Sequence, residues 1–70
     1  MSYDAFCSKV AANIRKARTD ADLTQEGMEK FGFNIRHYQD IEGGKVNITL
    51  ETIYRLAKAL KVNPDILLKQ

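Results

Sequence analysis

The chain has 70 residues, which suits one small domain with a single core, near the lower size limit for independent folding. Its apolar fraction of 44% and charged fraction of 29% are those of a soluble globular protein, and a net charge of +2 does not by itself indicate nucleic acid. A single cysteine excludes an internal disulfide or a cysteine metal cluster, and no apolar run reaches membrane-spanning length. We therefore expect a cytoplasmic protein.

The first predicted helix begins with Ser2 or Asp4 as its N-cap and ends near Thr19. Apolar residues recur at helical spacing and form its buried stripe, namely Phe6, Val10, Ile14 and Ala17. Cys7 lies beside that stripe and is interpreted as a small core or boundary residue. In the polar stretch that follows, Leu23 stands alone and is predicted to be a buried anchor.

A second, short helix is predicted to begin after Thr24, which is a suitable N-cap. Met28 and Phe31 lie three residues apart and give this helix one apolar face. Gly32 can adopt a positive φ and end the helix in a tight corner. Because Gly27 disfavours a helix interior by about 1 kcal/mol, we expect this helix to be irregular or frayed.

Asn34 is predicted to cap a third helix that covers approximately residues 35–42. At about 100° per residue, Tyr38 and Ile41 point inward together with Phe33, the residue at the corner. The opposite face presents Ile35, Arg36, Gln39 and Asp40. These types suit the DNA major groove, where Arg bonds guanine, Gln bonds adenine, Asp accepts from cytosine and Ile contacts a thymine methyl. The simpler interpretation is that the apolar member packs on a neighbour and the polar three are ordinary surface.

The rest of the chain predicts a loop and two more helices. Residues 43–47 form the loop, in which Gly44 is expected to need a positive φ. Thr49 caps a fourth helix whose apolar stripe consists of Leu50, Ile53, Leu56, Ala57 and Leu60. Asn63 and Pro64 begin a short fifth helix, whose apolar residues are Ile66, Leu67 and Leu68. Five helices without a strand signal predict one all-α domain over residues 1–70.

An ordered set of short motifs resembles the Xre/Cro phage-repressor type of helix-turn-helix domain. The set comprises Leu23-Thr24-Gln25, Gly32, Tyr38-Gln39-Asp40-Ile41-Glu42 with Gly44, Leu50-Glu51-Thr52, and Leu56-Ala57-Lys58-Ala59-Leu60. No single motif is specific, whereas their order and spacing over residues 10–67 are. The resemblance implies a compact five-helix bundle of the lambda-repressor-like DNA-binding type, with the helix-turn-helix formed by the second and third helices.

The resemblance also implies roles for individual residues. The resemblance implies that bases are contacted by Ile35, Arg36 and Asp40. Gln39 is added to this set because it lies on the same face of the helix. The residues expected to bind phosphates are Gln25, Asn34 and Lys45, and Asn47 or Thr49 is a further candidate. His37 lies nearer the core side of its helix and is expected either to pack or to bind a phosphate. No cofactor or metal is expected, since a lone histidine is a poor metal ligand.

Two structural contacts follow from the same resemblance. Arg18 at the end of the first helix is expected to pair with Glu42, shielded from water, and to fix the third helix against the first. The alternative is two unrelated surface charges. A homodimer that binds two DNA half-sites is expected, with the apolar segment Ile66, Leu67 and Leu68 and part of the fourth helix as its interface. Alternatively, these three residues complete the core of the monomer.

The predicted function is that of a sequence-specific transcriptional regulator, most simply a small repressor, whose partner is double-stranded DNA. A different class of function would be an antitoxin or adaptor module whose apolar C-terminal surface binds a partner protein. An enzyme is not expected, because the chain has one His, one Cys, no Gly-rich phosphate loop after a strand and no clustered metal ligands.

Overall fold

The computed structural model describes residues 1–70 and contains five helical segments without a strand. They are α1 (Tyr3–Asp20), a 3₁₀ helix (Glu26–Phe31), α2 (Ile35–Glu42), α3 (Leu50–Leu60) and α4 (Pro64–Leu68). The all-α, five-helix architecture expected from the sequence is confirmed. None of these helices has the length and apolarity that crossing a lipid bilayer requires.

Three of the four α-helices begin at the N-cap residues that the sequence predicts, and each of these residues makes a capping hydrogen bond. The side chains of Ser2, Asn34 and Thr49 each accept a hydrogen bond from the backbone N–H three residues later, at 3.0, 3.0 and 3.1 Å. Each bond satisfies a backbone donor that the first turn leaves unpaired. At α4 the side chain of Asn63 makes no such bond, and Pro64 occupies the first turn.

The irregularity expected of the second helix takes the form of a 3₁₀ helix. Thr24 Oγ1 accepts a hydrogen bond from the N–H of Gly27 at 2.9 Å, as an N-cap does. Gly32 ends the segment with a φ of +92°, and its N–H bonds to the carbonyl oxygen of Glu29 at 3.0 Å. Six residues with a glycine among them offer few i→i+4 bonds, so the tighter geometry of a short helix prevails.

One apolar core joins the helices, with α1 packed against α2, α3 and α4. The inward positions predicted for the third helix are confirmed, since Phe33, Tyr38 and Ile41 are all buried. The rings of Phe33 and Tyr38 have centroids 5.9 Å apart and are tilted by 59°, a favourable aromatic geometry. The aromatic pair therefore anchors the corner and α2 to the same core.

Two residues predicted on the apolar faces of their helices are instead at the surface. Phe31 is 38% exposed because it is the last residue of its segment and lies beside the cationic side chains of Arg55 and Lys58. Leu50 is 82% exposed because it is the first residue of α3, one turn ahead of Ile53, where burial of that helix begins. Both predictions were wrong at helix ends, where fewer neighbouring elements cover a side chain.

The prediction that Leu67 lies in a dimer interface is also wrong. Leu67 has no exposed surface in the single chain, because α4 packs against both α1 and α3. Asn13 of α1 holds that end of the chain by donating hydrogen bonds to the carbonyl oxygens of Leu67 at 3.1 Å and Lys69 at 2.7 Å. Successive helical residues point about 100° apart, so the flanking residues Ile66 and Leu68 stay 46% and 37% exposed.

Candidate nucleic-acid interface

The short helix α2 is divided into a buried inner side and an open outer side. Tyr38, Ile41 and Glu42 are buried on the inner side. On the outer side Arg36 and Gln39 are exposed, while Ile35 and Asp40 are half-buried. His37 is exposed, so the alternative in which it packs against the core is wrong. The four residues predicted to read bases therefore lie together on a surface that a ligand can reach.

Glu42 is the centre of a buried polar cluster at the base of α2. Arg18 of α1 binds it with two nitrogens, Nε at 2.6 Å from Oε2 and Nη2 at 3.1 Å from Oε1. Gln25 Nε2 donates to Oε1 at 3.1 Å, and the hydroxyl of Tyr38 donates to Oε2. Arg18 Nη1 also donates to the carbonyl oxygen of Leu23 at 2.7 Å. The structure thus contains the shielded ion pair expected between the first and third helices, and the pair sits within a larger network.

The protonation states of this cluster follow from its contacts. Burial on its own would raise the pKa of the Glu42 carboxyl, but the hydrogen bonds from Arg18, Tyr38 and Gln25 outweigh it and lower that pKa. The hydrogen bond to Glu42 raises the pKa of the Arg18 guanidinium. Burial, together with the bond to Glu42, raises the pKa of the Tyr38 hydroxyl, which stays a proton donor. At neutral pH the cluster contains the Arg18–Glu42 ion pair, with Arg15 Nε as a further cationic group 3.8 Å from Oε1, and every buried side-chain N or O atom has a hydrogen-bond partner.

Gln25 joins this buried cluster to the outer side of α2. Its Nε2 donates to Glu42, while its Oε1 accepts a hydrogen bond from Gln39 Nε2 at 3.3 Å. Each of the two glutamines keeps one amide N–H for another partner. Gln25 was predicted only as a phosphate contact, and its positioning of Gln39 was missed. No local pattern indicates it, because Gln25 and Glu42 are 17 residues apart in the chain.

The loop after α2 places its residues alternately inward and outward. Gly44, Val46 and Ile48 are half-buried, whereas the residues between and after them, Lys45, Asn47 and Thr49, are exposed. Gly44 has a φ of +71°, which confirms the prediction for this glycine. All three predicted phosphate contacts of the loop therefore lie on its outer side.

Hydrogen bonds restrict two of these loop side chains. Asn47 Oδ1 accepts a bond from the hydroxyl of Tyr3 at 2.7 Å, which leaves the amide N–H groups of Asn47 as its available donors. The hydroxyl of Thr49, besides capping α3, donates to Thr52 Oγ1 at 3.0 Å. Thr49 must therefore rotate its hydroxyl before it can donate a hydrogen bond to another acceptor such as a phosphate. No group of three or more His, Cys, Asp or Glu residues is placed to hold a metal ion.

Comparison with known proteins identifies the family of this fold. The family described as helix-turn-helix matches residues 14–67. The chain belongs to this Xre/Cro-like helix-turn-helix family. It is 38% identical over 55 residues to the uncharacterized HTH-type transcriptional regulator y4dJ of Sinorhizobium fredii, an alignment that covers 77% of this chain and 71% of that protein. A search of solved structures gave no match.

These comparisons decide between the functions predicted from the sequence. The resemblance to the Xre/Cro type is confirmed, and so is the broad class of DNA-binding transcriptional regulator. They give no support to the alternative of an antitoxin or adaptor module. Domains of this family are DNA-binding parts of regulators and are not typically enzymes.

Proposed function

We propose that residues 1–70 act as one sequence-specific DNA-binding domain of a cytoplasmic repressor, with α2 inserted in the major groove. The observation that supports this most is the division of α2 into a locked inner side and an accessible outer side. Glu42 and Tyr38 hold the helix to the core, so its outer side chains meet DNA on a rigid support. Such rigidity lowers the ordering cost of binding.

The outer side of α2 would select the base sequence. Arg36 can bond a guanine with two donors, and Asp40 can accept from the amino group of cytosine. Gln39 suits adenine, and its bond to Gln25 limits the orientations of its amide before DNA arrives. Ile35 offers an apolar contact to a thymine methyl. Each well-formed base contact discriminates against the wrong base by about 1–3 kcal/mol.

Residues at the edges of α2 would bind the phosphate backbone and set the register. The proposed contacts are Gln25, Asn34, His37, Lys45, Asn47 and Thr49. The side-chain oxygens of Asn34 and Asn47 are already occupied, by the cap and by Tyr3, so both amides present N–H donors to an incoming phosphate. Phosphate contacts fix position without reading sequence, which complements the outer side of α2.

Dimerisation would supply the affinity that one subunit lacks, since Lys45 is the only lysine or arginine in the proposed phosphate set. Ile66 and Leu68 remain exposed on α4 and, with the apolar part of the exposed surface of α3, form the proposed twofold interface. Replacing Leu68 by Ser should shift the dimer toward monomer in sedimentation equilibrium. Phe31→Ser is the matched control, because Phe31 is 38% exposed and Leu68 37%. Equal dissociation of the two variants would contradict this interface.

Selection from random duplex DNA with the full chain tests the proposed function directly. We expect an inverted repeat whose half-sites are centred about 10 base pairs apart, one helical turn. Titration of the selected duplex by fluorescence anisotropy should give a log–log salt slope of about −2, because Lys45 contributes one cationic phosphate contact in each subunit of the dimer. Failure to enrich any motif, or a slope near zero, would contradict sequence-specific electrostatic binding.

A further inference from the structure

A cavity of about 240 Å³ lies between the N-terminal half of α1, the loop after α2, the beginning of α3 and Leu68 at the end of α4. Its floor is formed by the buried side chains of Val10 and Ile53, and the half-buried side chains of Phe6, Val46 and Ile48 form its walls. No charged side chain lines it. Because an uncompensated charge is costly in such surroundings, an occupant has to be uncharged and mainly apolar.

The size of the cavity matches a small molecule. Apolar cavities of about 150 Å³ admit benzene, so this one has room for an aromatic ring with short substituents or a short branched chain. A docked protein needs roughly 800 Å² of surface on each partner, far more than this recess offers. Tyr3 and Leu50, which are 62% and 82% exposed, flank the mouth and leave the interior open.

One wall of the cavity is the back of the loop that carries the proposed phosphate contacts. Gly44, Val46 and Ile48 line the cavity, whereas the alternate residues Lys45 and Asn47 are exposed and line a more polar recess next to it. At the mouth, the hydroxyl of Tyr3 donates to Asn47 Oδ1, so this bond uses the amide oxygen of Asn47 and leaves its N–H groups available to other partners. A molecule that enters beside Tyr3 disturbs this bond and presses on Val46 from inside.

We propose that this cavity binds a small, uncharged, mainly apolar molecule and that its occupation weakens DNA binding through the loop at residues 43–49. Binding in the cavity needs no further assumption, whereas the effect on DNA rests on the proposed function of Lys45 and Asn47. Linkage requires the effect to be reciprocal, so bound DNA lowers the affinity of the cavity for its ligand by the same factor.

Alkylation of Cys7 by iodoacetamide, with indole as the probe, measures occupation of the cavity directly. Cys7 is the only cysteine of the chain, lines the cavity and is half-buried. Indole at about ten times its dissociation constant should slow the reaction by up to about tenfold, because an occupant of the cavity covers the side of Cys7 that lines it. Cys7 also lines a neighbouring, more polar recess, and the residual rate reports access from that side. Inositol, a polar ring of similar size, should leave the rate unchanged. Unslowed alkylation up to the solubility limit of indole overturns the proposal.

Val46→Phe fills the cavity with a larger side chain and should abolish protection by indole. Val62→Phe is the matched control, since Val62 is a half-buried valine that does not line this cavity, and it should keep the protection. Loss of protection in both variants, or in neither, contradicts the assignment of the site. The wild-type alkylation rates decide the question even where Val46→Phe fails to fold.

Anisotropy with the selected duplex tests the effect on DNA. Saturating indole should weaken binding by the wild-type chain about fivefold or more, within the usual range of allosteric coupling. Binding by the Val46→Phe variant should not respond to indole. Protection of Cys7 without any change in DNA affinity overturns the proposed coupling. A wild-type chain that binds no duplex even without indole contradicts the proposed function, while the alkylation rates still decide whether the cavity binds its ligand.

Discussion

The inner and outer sides of α2 differ in how their charged groups are held. On the inner side Glu42 is 3% exposed and is bound by Arg18, Gln25 and Tyr38. On the outer side Arg36 is exposed and forms no ion pair. A buried charge that loses its partner is costly, whereas an exposed charge is solvated by water. The eight residues of α2 thus carry both the buried cluster that stabilises the fold and the outer surface proposed for recognition.

The inner and outer sides of α2 are linked by hydrogen bonds of one side chain, that of Gln25. Gln25 bonds to Glu42 on the inner side and to Gln39 on the outer side. Since Gln39 lies on the proposed base-reading surface, a change inside the cluster reaches that surface through Gln25. Arg36, unlike Gln39, has no such link to the interior, because its side chain forms no hydrogen bond or ion pair within the chain. The following predictions test this asymmetry.

The largest effect is expected from Glu42→Ala. Removing one partner of a buried ion pair costs about 3–5 kcal/mol of folding free energy, because Arg18 is left without its carboxylate. Urea unfolding followed by circular dichroism measures the loss. Glu29→Ala removes an exposed carboxylate and should change stability by no more than about 0.5 kcal/mol. Equal unfolding midpoints for the wild type and Glu42→Ala would show that the cluster does not hold α2 in place.

Arg36→Ala should weaken binding to the selected duplex by about 1–3 kcal/mol, roughly fivefold to 150-fold, and relax the preference at one base pair. The free energy of unfolding should stay within about 0.5 kcal/mol of the wild type. Lys58→Ala removes the same charge from the exposed surface of α3 and serves as the control. If both variants bind the duplex equally well, Arg36 contacts no base.

Lys45→Ala should weaken binding to all duplexes by a similar factor, because a phosphate contact reads no sequence. The salt slope should become less steep by about 1 for each subunit. Anisotropy titrations over a series of salt concentrations, with Lys58→Ala again as the control, measure both quantities. A change in the preferred sequence together with an unchanged slope would assign Lys45 to base reading instead.

The smallest effect on stability is expected when the pH is lowered below neutral. The pKa of Glu42 is lower in the folded protein than its ordinary value of 4.5, so the unfolded chain takes up the proton first. The stabilisation due to the ionised carboxylate is therefore complete above that value and is lost as the pH falls through the folded pKa. The difference in stability between the wild type and Glu42→Gln should narrow from neutral pH to about pH 3. A constant difference would contradict the lowered pKa.

Much of the fold was predictable because its signals are local. The caps at Ser2, Asn34 and Thr49 act within three residues, and the glycines with positive φ mark the corner and the loop. Helical periodicity also placed the outer side of α2 correctly. The pairing of Arg18 with Glu42 is not local, since 24 residues separate them, and only the resemblance to a known family indicated it.

The wrong predictions share a physical cause. Periodicity identifies the apolar face of a helix but not how far along the helix a neighbour covers that face. Leu50 and Phe31 lie at helix ends, beyond such cover, and are exposed. For Leu67 the opposite happened, because α4 packs against both α1 and α3 and buries the residue within the monomer.

Short-range interactions along the chain thus sufficed for the number of helices, their caps, the corner at Gly32 and the family. Contacts between distant segments determined the network around Glu42, the docking of α4 through Asn13, which is 54 residues away from Leu67, and the cavity behind the loop. The reason is that a cap or a turn involves neighbours in the chain, whereas burial and hydrogen bonding of a side chain depend on which other elements pack beside it.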